Sequence, residues 1–195
     1  MYIAILGGSF DPPHFGHLLA ARQILDFTKT DEVWLMPCFS HPFDKNTSSV
    51  KHRLAMAKLC SKGKIKVSDW EIKQKKISYS INTLNCLSQK FPQHKFSFII
   101  GSEQVKDFKK WKDWQQILKK YKIWIFPRDG LFAKTRTVLA GMVLVRHRLL
   151  VTSALASTKI RKRARKGLDL DYFVPEKVEA YIKKHNLYKD YKNCK

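Results

Sequence analysis

The sequence predicts an α/β fold, a mostly parallel sheet with helices on both faces, on three observations. Short runs rich in β-branched and aromatic residues alternate with longer segments of helical spacing, the pattern of repeated strand–helix–strand units. Several runs are closed by a residue that ends a strand, as at Pro37, Gly101 and Pro127. The chain also has apolar mass for a core, with 44% hydrophobic residues in 195. That excludes low-hydrophobicity disorder over most of its length and suits one ordinary domain across 1–195, with a helical segment over about 157–188.

Taken in order, residues 2–6 read as a buried strand, followed by a loop and a helix over about 16–27. Residues 33–36 form a second strand, 51–61 a helix, and 65–67 a short strand. From Ser78 to about Gln89, Ile81, Leu84 and Leu87 recur on one helical face. Residues 96–100 are strand, Trp111 to Leu118 helix, and 123–126 strand. A last strand is expected at about 149–152, then helices near 157–165 and 175–185. The stretch 128–148 is the least regular and reads as a lid or hairpin excursion.

Charge and cysteine content narrow the functional classes. Lys and Arg number 38 against 16 Asp and Glu, a net +22. Such a surface concentrates anions without saying which: nucleotides, nucleic acid or acidic lipid. The longest apolar run, Val138 to Val145, is far short of the roughly 20 residues a spanning helix needs. The N-terminus has no basic region or cleavage-type site, so no signal peptide is expected. Cys38, Cys60, Cys86 and Cys194 are scattered with no CxxC pair, which predicts reduced thiols and a cytoplasmic setting.

The first strand runs into Gly7-Gly8-Ser9-Phe10-Asp11-Pro12-Pro13-His14-Phe15-Gly16-His17. In an open α/β sheet, ligands sit beyond the carboxyl ends of the strands. Glycines there let backbone approach a phosphate, and a helix N-terminus presents N–H groups and a positive dipole end. The run is neither a Walker A loop nor a GxGxxG fingerprint. His14 and His17, three apart, can face one side of the entering turn and donate to phosphoryl oxygens. Asp11, His14 and His17 could alternatively hold a metal, but no further spaced ligand follows, so no metal site is assigned. A tight turn with two buried histidines is the bland alternative. Near the other end, Ser157 or Thr158 can cap a helix whose N-terminus also suits an anion, with Lys159 and Arg161 close by. The bland version of that segment is an N-cap followed by a solvated basic helix, through Lys166.

Together, His14-Phe15-Gly16-His17 and Ala156-Ser157-Thr158-Lys159-Ile160-Arg161 resemble the HxGH and SSTxxR-like motifs of the α/β adenylyl- and cytidylyltransferases. The opening from Gly7 to His14 looks like the GGTFDPxH run of the bacterial nicotinate-nucleotide adenylyltransferases. Met36-Pro37 with Pro42-Phe43-Asp44-Lys45 is similar to that family's LPxxxPPHK loop, and Arg53 to Met56 fits its R-x-x-M helix. Ser78 to Leu84 resembles SYTxxTL, Gly101-Ser102-Glu103 resembles GxD, and Phe108 to Trp111 resembles FxxW. The tail from Val174 to Tyr188 is similar to the closing helix, so the likeness covers about residues 1–188.

The resemblance implies a Rossmann-like doubly wound nucleotidyltransferase domain. It implies transfer of AMP from ATP to nicotinate mononucleotide, with Mg²⁺, giving deamido-NAD and pyrophosphate. By the same resemblance, His14, His17, Lys45 and Arg161 are the catalytic candidates. Gly7, Gly8, Ser9, Phe10, Gly101, Glu103, Ser157 and Thr158 join His14, His17 and Arg161 at ATP. Ser9, Lys45, Tyr79, Thr83, Trp111 and Arg128 are expected at the mononucleotide, with Trp111 stacking on the pyridine ring.

Three positions depart from the family pattern. Glu103 stands where Asp is usual, Asp44 replaces a His beside Lys45, and Ala156 replaces the first Ser of SST. The extra methylene of Glu103 carries its carboxylate about 1.5 Å further, enough to reset a hydrogen bond. These departures leave open nicotinamide mononucleotide or another phosphorylated acceptor. Phosphopantetheine is disfavoured by the Trp111 segment and by Ser78 to Leu84. A different class, a basic nucleic-acid-binding protein, rests on the +22 charge and the basic cluster at 159–166, with no recognised RNA-binding motif beside them.

Overall fold

Tyr2–Gly8 forms the first strand, β1, whose side chains alternate between two apolar layers: Ala4 and Leu6 enter one, Ile3 and Ile5 the other. Both faces of this strand are therefore buried, as its apolar sequence requires. The computed structural model describes residues 1–42, 47–128 and 139–189. After β1 come α1 (Phe15–Phe27), β2 (Glu32–Pro37), α2 (Val50–Lys58), β3 (Ile65–Val67), α3 (Trp70–Gln74) and α4 (Ser80–Lys90). Then follow β4 (Lys95–Gly101), a 3₁₀ helix (Ser102–Lys110), α5 (Trp114–Lys120), β5 (Lys122–Phe126), β6 (Met142–Leu144), α6 (Ser157–Arg165) and α7 (Glu176–Lys184).

The six strands lie in the order β3-β2-β1-β4-β5-β6, and every pairing is parallel. One core layer joins β1 to α1, α2, α6 and α7 through Ile24, Met56, Ile160 and Val178. The other joins it to α4 and α5 through Leu84 and Ile117, with Phe108 of the 3₁₀ helix. Helices thus cover both faces, as expected for a doubly wound sheet. The chain leaves β1 toward β2 on one side, while β4 lies on the other. A crevice therefore opens at the carboxyl ends of β1 and β4, where such sheets bind ligands.

Three expectations are corrected. Residues 149–152 are not a strand: the Val151 N–H donates to Gln23 Oε1 at 2.6 Å, and Gln23 Nε2 donates to the Val151 carbonyl at 2.8 Å. A buried glutamine of α1 thus takes the bonds a ladder would have supplied. The edge position goes instead to β6, inside the stretch read as irregular, three residues paired with Ile123 to Ile125. The helix expected from Trp111 starts at Trp114, because Asp113 adopts a left-handed φ of 51° that separates it from the 3₁₀ helix. Short α3 was not anticipated; five residues are too few to show a period. Among the described residues, no helix is long and apolar enough to cross a membrane.

Candidate active site

The loop from Ser9 to His14 ends β1 and delivers His14 as the N-cap of α1. The His14 carbonyl accepts from the His17 N–H at 2.9 Å, and the His14 N–H donates back to His17 Nδ1 at 3.2 Å. An acceptor role at Nδ1 leaves a neutral His17 with its proton on Nε2, turned away from the backbone it caps. The two imidazoles stack, with centroids 3.7 Å apart and planes 28° off parallel. Gly16 makes that stack possible: a Cβ there would meet His14 Nδ1 at 2.9 Å. Phe10 backs the pair, its ring centroid 5.0 Å from that of His17, and is itself buried in the core.

Burial sets the charge of both histidines. His14 is 2% exposed, and loss of water drives its pKa down to about 3, with the Arg128 guanidinium adding to the effect. His17 presents part of its surface, but its ring is packed between His14 and Phe10. Its pKa falls well below the ordinary value through burial first, then His14 and Arg128. At neutral pH both rings are therefore uncharged N–H donors. The unfolded chain binds a proton at each below its ordinary value near 6.5, whereas the native state refuses it. Stability from this source is complete above about pH 6.5. For His14 it is lost as pH falls toward about 3, by at most about 1.4 kcal/mol per pH unit, and His17 acts in the same direction. Urea midpoints between pH 8 and 4 should fall accordingly, and His14→Gln should flatten the slope by one proton. An unchanged slope in that variant would show that His14 titrates normally.

The C-terminal motif is bolted onto the same loop. Ser157 Oγ donates to the Pro12 carbonyl at 2.8 Å, and Arg161 Nη1 donates to the Asp11 carbonyl at 2.7 Å. Arg161 Nη2 also reaches Thr158 Oγ1 at 3.4 Å. The start of α6, capped by Ala156 with no polar side chain, thus sits beside the start of α1. Two motifs some 140 residues apart in sequence form one wall. Asp11, 1% exposed, braces it from behind: its carboxylate accepts from the Ser48 N–H at 3.0 Å and from the Tyr188 hydroxyl at 2.6 Å. Burial and the adjacent Asp11 hold the Tyr188 hydroxyl protonated far above the usual range.

Across the crevice, Arg128 Nη1 pairs with Glu103 Oε1 at 2.9 Å, and its Nη2 donates to the Leu155 carbonyl. The second Glu103 oxygen, Oε2, is buried without a protein partner, as is His14 Nδ1. Gly101 leaves room for the Glu103 carboxylate, which a side chain at that position would overlap. Tyr79 and Trp111 are half-buried against the α4 side of the core. Trp111 meets Phe98 edge-on at 5.8 Å, and Lys112 Nζ lies 4.9 Å from the Tyr79 ring centroid. Thr83 is drawn inward: it is 5% exposed and its hydroxyl donates to Glu71 at 2.6 Å. Lys45 and Asp44 lie outside the described residues.

One organising residue was not singled out from the sequence as part of the site. Arg53 of α2, 1% exposed, donates to the carbonyls of Ser9 at 2.9 Å, Phe39 at 2.9 Å and Ser48 at 3.1 Å. It also approaches the Cys38 thiol at 3.8 Å. One guanidinium therefore ties the loops after β1 and β2 to the segment before α2. Its place in R-x-x-M was the only available signal.

Among the described residues no three His, Cys, Asp or Glu side chains cluster to hold a metal. Comparison with known proteins accords with the geometry. The cytidylyltransferase-like family model matches residues 5–163. A probable nicotinate-nucleotide adenylyltransferase from Opitutus terrae is 34% identical over 97% of the chain and 98% of its own length. One from Cytophaga hutchinsonii is 33% identical over 98% and 100%. In structure, the chain resembles Plasmodium falciparum nicotinic acid mononucleotide adenylyltransferase complexed with NaAD. That match has a TM-score of 0.78 and 23% identity, covering 96% of this chain and 97% of the other.

Proposed function

The chain belongs to the cytidylyltransferase-like family, alongside the nicotinate-nucleotide adenylyltransferases, and from that premise we propose that it transfers AMP from ATP to nicotinate mononucleotide. The products are deamido-NAD and pyrophosphate. The observation that carries the reading is the joining of the His14–His17 turn to Ser157 and Arg161 at the carboxyl end of β1.

A phosphate oxygen of the mononucleotide attacks the α-phosphorus of ATP. A new P–O bond forms as the bond to the β-phosphate oxygen breaks, and its electron pair leaves on pyrophosphate. The nucleophile is already ionised at pH 7, so no protein base is required. What remains is alignment of two anions and stabilisation of charge growing on the leaving group. His17 Nε2–H suits that task, and the helix N-termini of α1 and α6 point partial positive charge at the same crevice. Bound triphosphate would itself raise the pKa of both histidines, strengthening their bonds as charge builds.

We assign Arg161, Ser157 and Thr158 to the phosphates, with Lys45 as a further phosphate ligand. Glu103 Oε2, an acceptor without a partner, suits a ribose hydroxyl beside Gly101. Tyr79, Trp111 and Arg128 line the mononucleotide side, whereas Thr83 acts through Glu71 as support. With the Asp11 carboxylate engaged by Ser48 and Tyr188, no ready carboxylate cage stands among the described residues. Mg²⁺ is thus read as arriving on the ATP phosphates, part of the substrate. Cys38 and Cys60, buried free thiols, support a reducing, cytoplasmic setting.

Pyrophosphate release from Mg-ATP tests the reading, with nicotinate mononucleotide, nicotinamide mononucleotide and phosphopantetheine offered in parallel. Clear preference for nicotinate mononucleotide is expected. Preference for either other acceptor would keep the ATP site and move the substrate. No release with any of the three would sink adenylyl transfer.

A further inference from the structure

Adenylyl transfer uses the carboxyl ends of the strands, while the opposite end of the sheet carries a second groove. It encloses about 1000 Å³, the top of the roughly 300–1000 Å³ range of small-molecule pockets. Its floor is the sheet itself. Tyr2 pairs in register with Lys95, and Ser97 with Lys122, so these side chains share one face of β1, β4 and β5. Trp124, two residues beyond Lys122, lies on that face too, and its indole N–H donates to Ser97 Oγ at 3.2 Å.

A doubly wound sheet ordinarily has both faces covered. Here α1 ends at Phe27, which lines the groove together with Tyr2; Tyr2 is 50% exposed, and Lys95 and Lys122 are exposed. The Lys95 ammonium lies 5.6 Å from the Tyr2 ring centroid, and that of Lys122 lies 5.1 Å from Trp124. A third flat surface forms the wall, where Phe27 and His147 stack at 4.1 Å with planes 15° apart. Lys29 and Lys120 add charge on the rim, and the acid among the lining residues, Asp26, is engaged by Arg22 with Nε at 2.9 Å.

We propose that this uncovered corner, built from Tyr2, Lys95, Lys122 and Trp124 beside the Phe27–His147 stack, binds single-stranded nucleic acid. Aromatic side chains standing on a sheet accept unstacked bases, and neighbouring lysines hold the phosphates between them. Free phosphate or a lipid surface would use the lysines and leave the rings without a role. The spacing of rings and ammonium groups therefore selects a polyanion that carries bases. It also gives part of the +22 charge a task at a distance from the adenylyl-transfer crevice. The proposal stands independently of the acceptor assigned to that crevice.

Anisotropy of fluorescein-labelled ten-nucleotide oligouridylate and oligothymidylate, from 50 to 200 mM salt, tests it on the full chain. Binding by either oligomer is expected, with log affinity falling linearly in log salt; the two arms separate RNA from DNA. Lys95→Gln with Lys122→Gln should weaken binding about tenfold and flatten the slope by roughly 1.4, about 0.7 per lost phosphate contact. Tyr2→Ser should cost about tenfold with an unchanged slope, because it removes stacking alone. Trp124→Leu repeats that test from a less exposed ring. Pyrophosphate release should be unchanged in all of these. The idea is overturned by unaltered affinity in the groove variants, or by an equal loss from Lys162→Gln with Lys166→Gln, on α6 and at its C-cap. Heparin or phosphatidylglycerol vesicles competing as well as the oligonucleotides would overturn it too, since both lack bases.

Discussion

His17→Asn is expected to lower kcat by about a hundredfold or more while leaving the thermal midpoint close to that of the parent. The asparagine carbonyl stands near the place of Nδ1, so the bond from the His14 N–H that enters α1 survives. What disappears is the Nε2–H aimed into the crevice. A donor acting on charge that develops only in the transition state affects kcat more than binding, and removal of one such donor typically costs about 10²–10³ in rate. The Michaelis constant for ATP should move less than kcat. His17→Gln, whose amide nitrogen reaches near the lost position, should recover part of the rate. Near-normal turnover in a folded Asn variant would exclude His17 from the chemistry.

Arg53→Met should produce the largest loss of stability of any single change near the site, about 3 kcal/mol or more. The methionine fills some of the volume but leaves the carbonyls of Ser9, Phe39 and Ser48 buried without donors. Each such group costs about 1–3 kcal/mol, less where water can enter. The loops released include the one that carries His14, so kcat/KM should fall with stability even though Arg53 touches neither substrate. Arg53→Lys, a point charge in place of a fork, can satisfy fewer of the three and should fall between. Chemical denaturation and steady-state kinetics on both variants decide the matter. A Met variant as stable and as active as the parent would remove Arg53 from this positioning role.

Much of this was legible in the sequence because it is local. The strand from Tyr2, the His14–His17 turn and the helix start at Ser157 each declare themselves within a dozen residues, although the N-cap expected of Ser157 or Thr158 is Ala156, and the Ser157 hydroxyl bonds the Pro12 carbonyl instead. What escaped reading depends on contacts across the chain. The bonds of Arg53 run to loops on both sides of β2, and nothing in R-x-x-M says where a guanidinium points. Residues 149–152 have a strand's composition, yet Gln23 supplied the partner that prevented a ladder. β6 was hidden for the opposite reason: three residues suffice on an edge, too few to show alternation. Thr83, expected at the mononucleotide, is buried with its hydroxyl on Glu71, a partner its motif does not declare.

The contact between Tyr188 and Asp11 spans 177 residues, which bears on the order in which the protein can mature. On a ribosome, β1 emerges first and waits while its neighbour β4 is still unmade; the brace behind the phosphate loop comes last. At roughly 5–20 residues per second, about 9 to 35 seconds separate the synthesis of Asp11 from that of Tyr188. Only near the end of that interval, once β6 and the segment bearing Ser157 and Arg161 are made, can a nascent chain hold its sheet and its nucleotide-facing turn, still without the final strut. Catalytic competence is therefore acquired late, and a chain interrupted before residue 188 would be built yet unfinished.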